Sequence, residues 1–162
     1  MTLLHSAPGD DPVVIEEEFD APVEKVYRAW TDPEEMVKWF GSAPDAANKA
    51  EMDLRVGGRW RYVFKRTDDR AEYVEGEYLT VDRNAALAFS WSHVVETADG
   101  EREVTPASRV TVNFEATGGK TRVHLRHEAI QRETARRNVG HGWSRSFERL
   151  ADRLSHSEGK AA

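Results

Sequence analysis

Trp143, Phe147, Leu150 and Leu154 fall at i, i+4, i+7 and i+11 near the end of the chain. That spacing marks one stripe of an α-helix. Arg145, Glu148, Arg149, Asp152 and Arg153 stand between them and require water or ionic partners. The pattern predicts a long amphipathic helix over residues 131–155, with an apolar face that the preceding chain must cover. Gly140 and Gly142 lie just before and beside Trp143. They predict a thinned or kinked stretch where sheet or ligand comes close.

Most of the preceding chain alternates. Val13, Ile15 and Phe19 share one strand parity, with Glu17 as the exception on that face. Asp20-Ala21-Pro22 then starts a helix with Val23, Val26, Tyr27 and Trp30 on one side. Thr31-Asp32-Pro33-Glu34-Glu35 is a second start signal, followed by buried Met36, Val37, Trp39 and Phe40 and an end at Gly41. Two short helices in succession predict a V. A loop is expected over 42–49, and a strand over 52–56 with a tight turn at Gly57-Gly58. Trp60, Tyr62 and Phe64 alternate with Arg59, Arg61 and Lys65. A turn over 67–70 leads into a strand over 73–81, where Gly76 predicts a bulge or bend. Leu87, Phe89 and Trp91 follow, then a charged hairpin loop over 96–106. Val110, Val112 and Phe114 alternate, Gly118-Gly119 turns, and Val123 and Leu125 alternate again. Residues 1–12 lack pattern and read as a flexible arm, and residues 156–162 as a flexible tail.

Consecutive strands joined by short turns form an antiparallel meander, because parallel pairs need long crossovers. Each strand has one dry face, and the terminal helix offers a matching stripe. The expected architecture is α+β: a curved antiparallel sheet of about seven strands, in the order β-α-α-β6-α, wrapped around the C-terminal helix. It forms a single domain over residues 13–155.

The segments DAPVEKVYRAWTDPEEMVKWFG, DLRVGGRWRY, GEYLTVD followed by LAFSWS, and HGWSRSFERLADRL occur in that order. Together they resemble the activator-of-heat-shock-protein-90-ATPase homologue family of the START-like SRPBCC superfamily. The resemblance implies the helix-grip fold and a hydrophobic ligand cavity between sheet and helix.

Composition narrows the function classes. The chain has 162 residues, no cysteine and a formal net charge of -6. Disulfides, thiolate metal sites and a cysteine nucleophile are excluded. The acidic balance argues against nucleic acid as a partner. No signal peptide or apolar membrane span is present in the sequence, so a cytoplasmic protein without membrane insertion is expected. The eight arginines 122, 126, 132, 136, 137, 145, 149 and 153 form either an ion-paired solvated face or a docking surface for an acidic or chaperone partner. A monomer or weak dimer is expected.

Phosphate-binding and nucleophile-elbow motifs are absent. His124 and His127 point to opposite strand faces and cannot chelate together, and position 131 is Gln rather than a histidine completing H-E-x-x-H. No metal and no cofactor are expected. His93 and His127 continue inward parities and are expected at the cavity rim. They are either satisfied by water or backbone, or serve as a polar anchor or general acid/base. Trp60, Tyr62, Phe64, Tyr78, Phe89, Trp91, Trp143 and Phe147 are expected inside, with Val112. They form plain core or the wall of a ligand site. Arg59 and Arg61 are expected to face solvent. The leading expectation is a binder of a small hydrophobic or aromatic molecule or lipid. The alternatives are a cyclase, dehydratase or hydrolase using the same cavity, and a stress-response interaction module.

Overall fold

A computed structural model describes residues 2–7, 9–40, 49–66 and 69–161. The chain begins with strand β1 (Thr2–His5), which pairs antiparallel with β2 (Val13–Phe19). Part of the expected arm, Thr2–His5, is therefore an edge strand. It is held by the Ser6 N–H on the Val14 carbonyl at 2.8 Å and by Arg136 Nε donating to the Gly9 carbonyl at 2.8 Å. Its side chains Leu3 and Leu4 stay exposed, so no apolar alternation marks it in the sequence. In β2, alternation buries Val13, Ile15, Glu17 and Phe19.

Helix α1 (Val23–Thr31) starts directly after Pro22 and buries Val26, Tyr27, Ala29 and Trp30. Helix α2 (Pro33–Met36) is a single turn capped by Asp32, whose carboxylate accepts the Glu34 N–H at 3.0 Å. The chain turns on to Phe40, burying Trp39 and Phe40. The helix end expected at Gly41 and most of the loop expected over 42–49 lie outside the described residues.

The next strand, β3, covers Lys49–Met52 rather than 52–56. Residues 53–58 instead form a wide turn that leaves Leu54 and Val56 exposed. Gly58 permits this turn, since a Cβ there would lie 2.0 Å from the Asp53 carbonyl oxygen. Strands β4 (Arg59–Arg66), β5 (Arg70–Asp82) and β6 (Ala86–Thr97) follow as a meander. The expected 96–106 loop contains a short strand, β7 (Arg102–Val104), paired with β6. Strands β8 (Ser108–Thr117) and β9 (Lys120–Glu128) complete the sheet. The order is β1-β2-β9-β8-β6-β5-β4-β3, with β7 beside β6, so the described residues form nine strands where about seven were expected. Both additions lie at margins of the sheet.

Gly76 serves closeness more than bending. The register shift in β5 lies between Tyr78 and Thr80. A Cβ at Gly76 would sit 1.8 Å from the Ser90 carbonyl oxygen and 2.8 Å from Trp60 Nε1. The bare backbone lets the Trp60 indole reach that carbonyl and donate to it at 3.2 Å.

Helix α3 (Glu133–Ala161) lies against the dry face and continues into the expected tail. Its stripe of Trp143, Phe147, Leu150 and Leu154 is buried with Val110, Val112, Phe114, Val123 and Leu125 of the sheet. This is the helix-grip arrangement. Two arginines of α3 fasten the α2 turn: Arg149 Nε donates to the Trp39 carbonyl at 3.1 Å, and Arg153 pairs with Glu35 at 2.9 Å. Among the described residues, no helix is long and apolar enough to cross a membrane.

Candidate functional site

Four tryptophans from four elements converge where α1, α3 and the sheet meet. Trp30 (α1) stacks on Trp143 (α3), with ring centroids 5.7 Å apart and planes at 23°. Trp143 lies 5.6 Å from Trp91 (β6), and Trp91 lies 5.7 Å from Trp60 (β4). Trp39, after α2, joins at 4.8 Å from Trp30. Each strand contributes by parity and each helix by its apolar stripe, so the cluster follows from the alternation in the sequence.

These rings border a cavity of about 20 Å³, on the order of one water molecule and much smaller than a drug-sized ligand needs. Its wall comprises Trp30, Trp60, Trp91 and Trp143 with Tyr78, Leu87 and Phe89, and Met36 and Met52 also border it. Burial pushes the Tyr78 hydroxyl pKa upward, with Tyr27 adding to the effect, so Tyr78 stays a neutral phenol. Met36 ends the one-turn helix α2, and Met52 ends the four-residue edge strand β3, which pairs with β4. An unbranched thioether chain adapts its shape more readily than a branched or aromatic one.

Of the sequence-selected residues, Trp60, Tyr78, Phe89, Trp91 and Trp143 meet at this cavity. Val112 and Phe147 are buried in the core, and Phe147 packs on Phe19 and Trp30. Tyr62 and Phe64 pack on Phe40, and the Tyr62 hydroxyl donates to the Phe40 carbonyl at 3.0 Å. Trp30, Met36, Met52 and Leu87 were missed as wall residues. Trp30 and Met36 were visible as the buried faces of the paired helices, but periodicity does not tell which buried side chains border a void.

His127 differs from the expected rim position. His127 is completely buried. Its Nδ1 accepts the Trp143 indole N–H at 3.1 Å, so Nε2 carries the proton and donates to Ser108 Oγ at 2.8 Å. Ser108 in turn donates to the Trp91 carbonyl at 3.2 Å. Burial pushes the His127 pKa down to about 3. A neutral imidazole with both nitrogens engaged is a spacer in the core rather than an acid or base. Parity placed it inward correctly, but Ser108 and Trp143 close over the strand end. His93 is 38 % exposed, and its Nε2 lies 3.0 Å from Glu72 Oε1. Its backbone N–H donates to Thr105 Oγ1 at 2.8 Å.

Elsewhere, Arg59 and Arg61 lie on the outer face as expected. They converge with Arg102 on the Glu75 carboxylate, at 3.9, 2.9 and 2.9 Å, and the Arg61 guanidinium lies 4.4 Å over the Tyr73 ring. Gly142, expected at a close approach, faces open space, while a Cβ on Gly140 would make ordinary contact with Val13. Among the described residues, no group of three or more His, Asp or Glu could hold a metal ion.

Solved structures share this fold. Protein Ms6760 from Mycobacterium smegmatis is 21% identical with a TM-score of 0.71, and the match covers 97% of this chain and 99% of that one. Protein CV1439 from Chromobacterium violaceum is 19% identical with a TM-score of 0.70, covering 90% and 98%. CalU16 from Micromonospora echinospora is 24% identical with a TM-score of 0.62, covering 99% and 94%. Identities this low establish the fold alone. No curated protein matches the chain. By sequence, residues 20–155 match the family described as Activator of Hsp90 ATPase homolog 1-like protein.

Proposed function

Since the chain belongs to the Activator of Hsp90 ATPase homolog 1-like family, whose wider fold group commonly binds hydrophobic ligands, we propose that it binds a small aromatic molecule. The ligand sits between the tryptophans of α1, α3 and the sheet. One observation carries this reading: the void in the core lies at the junction of four indole rings and is bordered by two methionines.

The cavity is too small to admit such a ligand without movement. Met36 and Met52 supply the movement because they stand at the ends of the two shortest elements around the cavity. A single helical turn and a four-residue edge strand have few bonds of their own to lose. Binding is then a displacement of methionine side chains by a flat ring, which keeps contact with the indoles. A compact aromatic fits this geometry better than a long acyl chain, since the walls are broad rings set at angles to one another.

Titration with indane or naphthalene, followed by saturation-transfer NMR and by the indole N–H resonances, tests the reading. Saturable shifts at Trp30, Trp60, Trp91 and Trp143 are expected. Shifts confined to exposed side chains, or no saturation up to the solubility limit, would overturn it.

A further inference from the structure

Trp30 is 2% exposed, and its indole N–H has no hydrogen-bond acceptor among the described residues. The other buried indoles are satisfied: Trp39 donates to the Ala29 carbonyl at 3.0 Å, Trp60 to Ser90 and Trp143 to His127. Trp91 is only partly buried. The rings packed on Trp30 are those of Trp39, Phe114, Trp143 and Phe147, which carry no lone pair suited to an N–H donor. Buried donors without acceptors are rare in native proteins because each costs more than a typical hydrogen bond returns. Here the orphan belongs to a residue that borders the aromatic cavity.

We infer that the ligand of this cavity carries a carbonyl oxygen that accepts the Trp30 indole N–H. This inference rests on the ligand-binding reading above and specifies its chemistry. The class is a compact aromatic ketone or related carbonyl compound: an apolar ring system that fills space among the indoles, with one acceptor oxygen. A hydrocarbon of the same shape gains the ring contacts but leaves the donor unsatisfied. A hydrogen bond formed out of water to a donor with no other partner discriminates strongly between such isosteres, because the competing state is an unpaired polar group.

The test compares 1-indanone with indane, which differ by the carbonyl. The intact protein is expected to bind 1-indanone about tenfold tighter than indane, and in Trp30→Phe that ratio is expected to fall to near one. A second measurement needs no variant: the Trp30 indole N–H resonance of the unaltered protein should move downfield with 1-indanone and not with indane. If indane binds but there is no preference for the ketone, or the preference survives in Trp30→Phe, or the Trp30 resonance responds alike to both, the carbonyl inference is overturned and the binding reading stands. If neither compound binds, both fall.

Discussion

Trp143 donates its indole N–H to Nδ1 of His127 at 3.1 Å, and this bond decides which nitrogen of a buried histidine carries its proton. The histidine passes the polarity on through Ser108 to the Trp91 carbonyl. A core wall of rings is thereby held by a short polar chain with every donor placed.

The His127 network makes stability depend on pH in a defined direction. Burial holds the folded pKa near 3, below the ordinary imidazole value of 6.5. The unfolded chain therefore binds a proton that the folded chain refuses, and stability falls as pH drops below about 6.5. It is fully present above that value. The loss from this one group approaches about 1.4 kcal/mol per pH unit below it. Urea denaturation from pH 7.5 to 4.5, compared between the protein and His127→Gln, should show a slope difference of close to one proton. Parallel curves would mean that His127 titrates alike in both states.

Trp143→Phe keeps a ring in the core but removes the donor to His127. The expected cost is about 1–3 kcal/mol, most of it recovered when His127 is also replaced by Leu. The double-mutant cycle measures the coupling. Leu150→Ala, buried on the same helix but away from the cavity, is expected to cost about 2–5 kcal/mol. It should leave indane affinity unchanged. Trp143→Ala, by contrast, should lose both stability and binding, since its ring is core and cavity wall together.

Two glycines should respond to alanine in opposite directions. Gly76→Ala places a methyl group 1.8 Å from the Ser90 carbonyl oxygen and is expected to destabilise by more than about 2 kcal/mol. Gly142→Ala meets nothing within 4 Å and lies within a helix. It is expected to stabilise by about 0.5–1 kcal/mol. Thermal melts of the two variants check both signs.

Glu75 has a side chain only 12% exposed and gathers Arg61 and Arg102 closely, with Arg59 farther off. Glu75→Gln leaves these guanidiniums facing one another without the countercharge. The arginine ends are well exposed, which limits the cost to about 1–2 kcal/mol. The difference in melting temperature between the protein and this variant should shrink in 1 M salt, as screening weakens attraction and repulsion alike.

Much of the fold was legible because burial imposes a period. The stripe from Trp143 to Leu154 and the inward parities of Trp60, Phe89, Val112 and Leu125 all follow from one face needing cover. The parts that could not be read lack that cause. β1 carries exposed Leu3 and Leu4 at an edge, and β7 exposes all three residues, so neither needs a dry parity. The candidate site was half legible. Strand parity and the helix stripe together selected five of its walls, but they gave the same inward status to Phe147 and Val112, which pack as plain core. Parity also gave no depth for His127, which two neighbours distant in sequence close off. Whether rings leave a void depends on their rotamers and volumes, which alternation does not encode.

All five tryptophans of the chain stand in one unbroken row, Trp39, Trp30, Trp143, Trp91 and Trp60, each within 4.8–5.7 Å of the next. At such spacing the indole transition dipoles couple, so absorbed light is shared along the row rather than kept by one ring. The near-ultraviolet circular dichroism of this protein should therefore carry exciton features. A guest that shifts one indole would alter the spectrum of all five.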